Sequence, residues 1–171
     1  QNLTKQPVVL SFGAIKGGIR YNIIPDSVEL IGTIRTFDDE MRAQVFTDLA
    51  NVAEHVAAAH GATVVSKIPD TVGNPVTVND PALTAKVLPS LQKVAGKDVV
   101  EMTLTTGAED FAYYAKEVPG FFFFVGATPK GQDPNTAPSN HSPQFFLDES
   151  ALPLGTRAML QISLDYLAGT P

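Results

Sequence analysis

The stretch Val28-Glu29-Leu30-Ile31-Gly32-Thr33-Ile34-Arg35-Thr36-Phe37-Asp38-Asp39 changes its hydrophobic period once, and that change sets the fold. Val28, Leu30 and Ile34 alternate with Glu29, Thr33 and Arg35, the period-two pattern of a strand with one face on a core. From Asp38 or Asp39 the spacing becomes three and four. Met41, Val45, Leu49, Val52 and Val56 form a helical stripe, widened by Phe46, Ala50, Ala53 and Ala57, with Gly61 as its C-terminal cap. Upstream, Val8 to Ile15 reads as a strand interrupted by Gly17-Gly18, and Pro25-Asp26 marks the turn before Val28. Downstream, Ala62 to Ile68 resumes as a strand. Two strands, a helix and a strand make a small two-layer open-faced sandwich that lacks its opening strand and helix.

Between Pro69 and Pro81 the turn formers cluster, as Gly73-Asn74-Pro75 and Asn79-Asp80-Pro81, and a domain boundary is expected near residue 72. Asp80 caps the next helix with Pro81 at its first position, and Pro89 is expected to kink that helix or end it early. Val99 to Leu104 reads as a short strand, and Glu109 or Asp110 starts a short helix through Glu117. Phe121-Phe122-Phe123-Phe124-Val125 is apolar throughout, as expected of a central strand covered on both faces. Ala127 to Asn140 is a loop. Asp148-Glu149 opens a final helix whose Leu152, Met159, Leu160, Ile162, Leu164 and Leu167 are expected to face the core. Strands alternating with helices give an α/β layer. Two strands cannot cover so apolar a run, so this half is expected to complete a sheet begun by an upstream segment.

The 171 residues are 44% apolar and 18% charged, a globular balance. Twelve basic against eighteen acidic side chains give a net charge of −6. With no Lys/Arg stripe, nucleic acid and anionic membrane are excluded as partners. The longest apolar run, at Phe121, falls far short of the ~20 residues of a membrane helix. The absence of cysteine removes disulfides, thiolate metal sites and thiol nucleophiles. No Arg-rich or signal-like segment opens the chain, which begins at Gln1 and reads as part of a longer polypeptide. The compartment is unassigned, with the cytoplasm favoured.

Three stretches can carry chemistry. His55 and His60 lie five apart on the long helix, which does not put them on one face. His141 instead follows a long polar loop, in Asn140-His141-Ser142-Pro143, after the buried strand, where α/β sheets place their sites. The alternative is a loop histidine bonded to its own backbone. One histidine cannot hold zinc, which takes three or four protein ligands. In Thr105-Thr106-Gly107-Ala108-Glu109-Asp110-Phe111 the small residues let backbone N–H groups approach an anion. The two carboxylates there read more simply as helix-terminus residues. Gly107 permits close backbone approach. Finally, Arg35 stands on the strand face opposite Val28, Leu30 and Ile34. A guanidinium on a rigid strand suits bidentate capture of a carboxylate, and the alternative is a surface pair with Glu29.

Taken in order, Gly17-Gly18 with Asn22-Ile23-Ile24-Pro25-Asp26 and Gly32-Thr33-Ile34-Arg35-Thr36-Phe37, then Gly107-Ala108-Glu109-Asp110-Phe111, then Asn140-His141-Ser142-Pro143 with Phe146 and Asp148-Glu149, resemble the dinuclear-metal amidohydrolases. That family includes hippurate hydrolase, aminoacylases, auxin-conjugate hydrolases and carboxypeptidase G. The resemblance implies that residues 1–72 are most of a lid, or dimerisation, domain. Residues 73–171 would then be the second half of a zinc-peptidase-like α/β catalytic domain. It further implies His141 as a ligand to one of two divalent cations, with zinc foremost and manganese, nickel or cobalt as alternatives. Arg35 and Gly107 would meet the substrate carboxylate, and Asn22 would polarise the scissile carbonyl. The remaining metal ligands and the glutamate general base would lie upstream.

The reaction implied is hydrolysis of an N-acyl amino acid or small peptide by metal-activated water. If Val8–Ile15 pairs antiparallel with Val28–Arg35, Asn22 and Arg35 lie toward opposite ends of a ladder about 23 Å long. A two-fold homodimer, with Asn22 from one subunit and Arg35 from the other, is therefore expected. The isolated chain is expected to be inactive. The competing reading is a non-catalytic dimerisation or ligand-binding module derived from such a hydrolase.

Overall fold

β1 (Val9–Gly17) and β2 (Val28–Arg35) form an antiparallel ribbon that pairs Val9 with Arg35 and Gly17 with Val28. The computed structural model describes residues 7–169, so the opening residues read above for a leader lie outside it. The register shifts between Phe12 and Ala14, and opposite that bulge stands Gly32, where an added Cβ would meet the Ser11 carbonyl. β1 ends where Gly18 turns left-handed at φ +74°. Among the described residues this ribbon is the only ladder. The face expected on a core is open at Val28 and Leu30, which are 59% and 56% exposed. The period-two segment forms a strand, but its Val28 and Leu30 face stays exposed among the described residues.

α1 (Asp39–Ala59) begins where Asp38 Oδ1 accepts the Met41 N–H at 2.7 Å. It ends as expected at Gly61, whose φ of +70° lets Ala62 N–H return to the Ala57 carbonyl at 2.9 Å. α2 (Pro81–Ala95) is capped by Asp80, whose Oδ1 accepts from Leu83 N at 2.7 Å. α2 runs on past Pro89 to Ala95 rather than ending early there. Around this proline Val87, Ser90 and Leu91 are buried where α2 packs on α4 (Ala151–Ala168), and that packing outweighs one missing backbone bond. α3 (Phe111–Glu117) is short.

Two compact units divide the chain. One runs up to Thr77 and also takes in Leu104–Tyr113, and the other comprises Val78–Thr103 and the chain from Tyr114 onward. The core of the second holds Val87, Leu91 and Ala158, with Ser90 Oγ donating to Asp165 Oδ2 at 2.7 Å. Lys93 Nζ reaches the same oxygen at 3.0 Å, and Gln161 Nε2 donates to Oδ1 at 2.9 Å. These bonds, that of Ser90 first, hold the Asp165 carboxyl down to about 2.

Three expected strands do not form ladders. Ala62–Ile68 and Val99–Leu104 have no strand partner among the described residues, and Leu104 is 68% exposed. Phe121–Val125 is extended: the Phe121 and Phe123 rings stack at 5.9 Å, and Phe122 meets Phe124 edge-on at 5.1 Å. Its neighbour is a side chain rather than a strand. Asn79 accepts the Phe122 N–H at 2.7 Å and donates to the Phe122 carbonyl at 2.8 Å. α4 covers part of the run, with Val125 Cγ2 beside Gly155, while Phe124 stays 58% exposed. α4 itself starts after Ser150 and turns Ala158 inward. Leu152, Met159, Leu160, Leu164 and Leu167, expected in the core, are all more than half exposed. A partner for these faces is not found among the described residues.

Candidate functional site

Arg35 is the last residue of β2, and the rigid ladder sets the direction in which its side chain leaves. Its Nη1 donates to the Thr106 carbonyl, next to Gly107 and within the same compact unit. Glu29, the alternative partner, is engaged across the ladder by Lys16 at 3.6 Å. One guanidinium N–H thus orients the group, and a fork of five donors keeps others to offer a ligand. At Gly107, apart from its chain neighbours, no atom of the described residues lies within 4 Å of where a Cβ would stand, and its φ is not left-handed. Neither packing among the described residues nor backbone conformation demands a glycine there.

Asn22 is exposed in the turn after β1, where Ile23 N–H donates to the Arg20 carbonyl at 3.3 Å. Because Gly17 pairs with Val28 and Val9 with Arg35, Asn22 sits beyond one end of the ribbon and Arg35 at the other. The structure brings Arg35 to Gly107 but leaves Asn22 apart from them.

His141 belongs to the second unit, in a loop built from successive local turns. Ser142 N–H donates to Ser139 O at 2.9 Å and Phe145 N–H to Ser142 O at 3.0 Å. The loop is closed at its base, where Asp148 N–H donates to the Ala127 carbonyl at 2.8 Å. The Asp148 carboxyl, bonded by the Ser150 side chain and backbone, lies below its usual range. The imidazole is exposed. Among the described residues no three His, Asp or Glu side chains gather into a metal site. The residues present therefore do not fit a complete metal centre, and His141 alone can serve as one ligand to a centre completed by others. His55 Nδ1 lies 2.6 Å from Asn51 O on its own helix, and His60 is the α1 cap. No helix among the described residues is long and apolar enough to cross a membrane.

The Thr106 carbonyl as partner of Arg35, 71 residues away in sequence, carried no local signal. The same holds for Tyr113 Oη donating to Gly73 O at 3.2 Å and Arg42 Nη1 donating to Asn74 O at 3.2 Å. Such partners are backbone atoms, which any residue type presents.

This mixed helix-and-strand fold is shared with part of a solved peptidase. The YXEP protein of Bacillus subtilis, a dinuclear metal binding peptidase from the M20 family, superposes with a TM-score of 0.73 at 28% identity, covering 94% of this chain and 42% of that one. Residues 7–165 match peptidase family M20/M25/M40, and the chain belongs to that family. Among curated relatives, thermostable carboxypeptidase 2 of Saccharolobus solfataricus is 34% identical over 94% of this chain and 40% of its own length. The N-acetyl-L-cysteine deacetylase of Bacillus subtilis is 37% identical over 86% of this chain and 33% of its own length. The chain thus spans about 40% or less of the curated relatives it matches.

Proposed function

We propose that this chain is the rear portion of a metal-dependent hydrolase that cleaves the amide bond of N-acyl amino acids or small peptides. Residues 1–72 act as the lid and dimerisation portion, and residues 73–171 as the second half of the catalytic domain. The observation that carries the reading is the Arg35 guanidinium fastened to the Thr106 carbonyl beside Gly107. Held there, the guanidinium receives the substrate carboxylate through its remaining N–H groups. Gly107, unencumbered by a side chain, lets its backbone approach the same anion. Such a grip selects acids over neutral amides, because a substrate without the carboxylate leaves the guanidinium unpaired.

Asn22 donates its side-chain amide to the scissile carbonyl of the substrate held by a second copy. Its place beyond the far end of the ribbon from Arg35 supports a homodimer in which the two residues act from different subunits. Divalent cations, if held by ligands of which His141 would be one, would supply the acidified water that such a hydrolysis needs. Toward them this chain brings one imidazole, that of His141. The relatives named as carboxypeptidase and deacetylase support amide hydrolysis as the reaction class.

The test is hydrolysis of a panel of N-acyl amino acids by the intact protein, with and without chelator. Hydrolysis that stops on chelation and returns with divalent cation, together with reduced bound metal in His141→Ala, is the expected outcome. Hydrolysis indifferent to chelation would overturn the metal assignment. No hydrolysis of any acid would favour a non-catalytic module.

A further inference from the structure

Contacts within the first compact unit close into a circuit around the Arg35–Gly107 pair. β2 ends at Arg35, whose Nη1 donates to Thr106 O. A few residues on, the first turn of α1 holds Arg42, with Nη2 3.0 Å from Asp39 Oδ1 and Nη1 donating to the Asn74 carbonyl at 3.2 Å. The preceding carbonyl, that of Gly73, accepts from Tyr113 Oη at 3.2 Å. Tyr113 closes the same excursion, Leu104–Tyr113, that Thr106 and Gly107 occupy. Residues 101–109 have no regular secondary structure to stiffen them.

We propose that Tyr113 and Arg42 are positioning residues for carboxylate binding. Acting on the adjacent carbonyls of Gly73 and Asn74, they fix the Thr106–Gly107 backbone against the Arg35 guanidinium. The proposal rests on the reading of Arg35 and Gly107 as the carboxylate grip. An irregular segment tied at one point pivots about it, whereas one tied at both ends presents its backbone at a set distance. Binding constellations need that precision, since tolerances near 0.5 Å separate productive from loose sites. The Asp39–Arg42 pair holds the second tie to α1, the element that follows β2 in sequence, so both ties refer to one frame. Neither side chain touches substrate in this account.

The experiment compares Tyr113→Phe, Arg42→Ala and Arg42→Lys in the intact protein. Each is assayed on an N-acyl amino acid and on its carboxamide, with thermal unfolding measured in parallel. Tyr113→Phe and Arg42→Ala should raise KM for the acid about 3- to 10-fold, the range of one lost hydrogen bond. They should leave kcat and the carboxamide KM unchanged, and Arg42→Lys should recover part of the loss. Added to Arg35→Ala, Tyr113→Phe should have no further effect. Equal effects on acid and carboxamide, no effect on either, or full additivity with Arg35→Ala would overturn the proposal. Should Arg35→Ala itself leave the acid KM unchanged, the carboxylate grip fails instead, and the two failures are thereby told apart.

Discussion

Gly32→Ala should loosen the β1–β2 ribbon, and its effect can be worked from the backbone. The register passes from Phe12↔Gly32 to Ala14↔Ile31, leaving Gly13 as the extra residue of the bulge. A Cβ on Gly32 would run into the Ser11 carbonyl oxygen, with Phe12 Cδ1 at 3.0 Å and the Ser11 carbonyl carbon at 3.2 Å. The obstructing oxygen belongs to the ladder, so a rotamer change cannot relieve the clash. Forcing a methyl group into such a contact costs about 1–3 kcal/mol. Removing a glycine from the unfolded chain returns about 0.4–1 kcal/mol. A net loss of about 1–2 kcal/mol follows, near a tenfold shift in the unfolding equilibrium. Gly13→Ala is the control, since nothing lies within 4 Å of its Cβ position, and should stay within about 0.5 kcal/mol of the parent. Urea unfolding gives both values, and amide exchange at Phe12 and Thr33 localises the change. Equal stability of Gly32→Ala and parent, or an equal loss in Gly13→Ala, would refute the close-approach argument.

Two further outcomes concern the α2–α4 pair. Asp165 has its folded pKa depressed to about 2 from an ordinary 3.8, so its stabilisation is complete above the unfolded value and is lost as pH falls through the folded one. Acid titration followed by circular dichroism should show the helices weakening between about pH 4 and about pH 2, and Asp165→Asn should flatten that dependence. Leu91→Ala, at a residue 8% exposed, should cost about 2–3 kcal/mol in chemical denaturation, toward the low end for such truncations because much of α4 around it is open.

What could be read from the sequence was what is decided locally. Asp38, Asp80 and Gly61 announce helix ends through bonds within four or five residues, and each end stands where the spacing put it. The ribbon followed from alternation and the turn signals between its strands. Pairing was less legible wherever the partner is distant. The Phe121–Val125 run is extended, as its composition implies, yet its backbone partner is the Asn79 side chain, a substitution no apolar pattern encodes. Pro89 does not end α2, because propensity describes an isolated helix while α2 is stabilised along the face it buries on α4. At the candidate site the residue types were legible and their connections were not. Arg35 stood out as a cation on a strand, and Gly107 as a glycine before a helix. That the Arg35 guanidinium meets the segment carrying Gly107 appears only once the chain folds, because the linking atom is a carbonyl.

Arg35, set against the Thr106–Gly107 backbone, is the proposed grip on a substrate carboxylate. Its most direct test is kcat/KM of the intact protein for an N-acyl amino acid relative to the matching carboxamide, before and after Arg35→Ala. The preference for the acid should collapse by about two orders of magnitude or more, while turnover of the carboxamide is little changed. A preference left intact in Arg35→Ala would contradict the proposed grip.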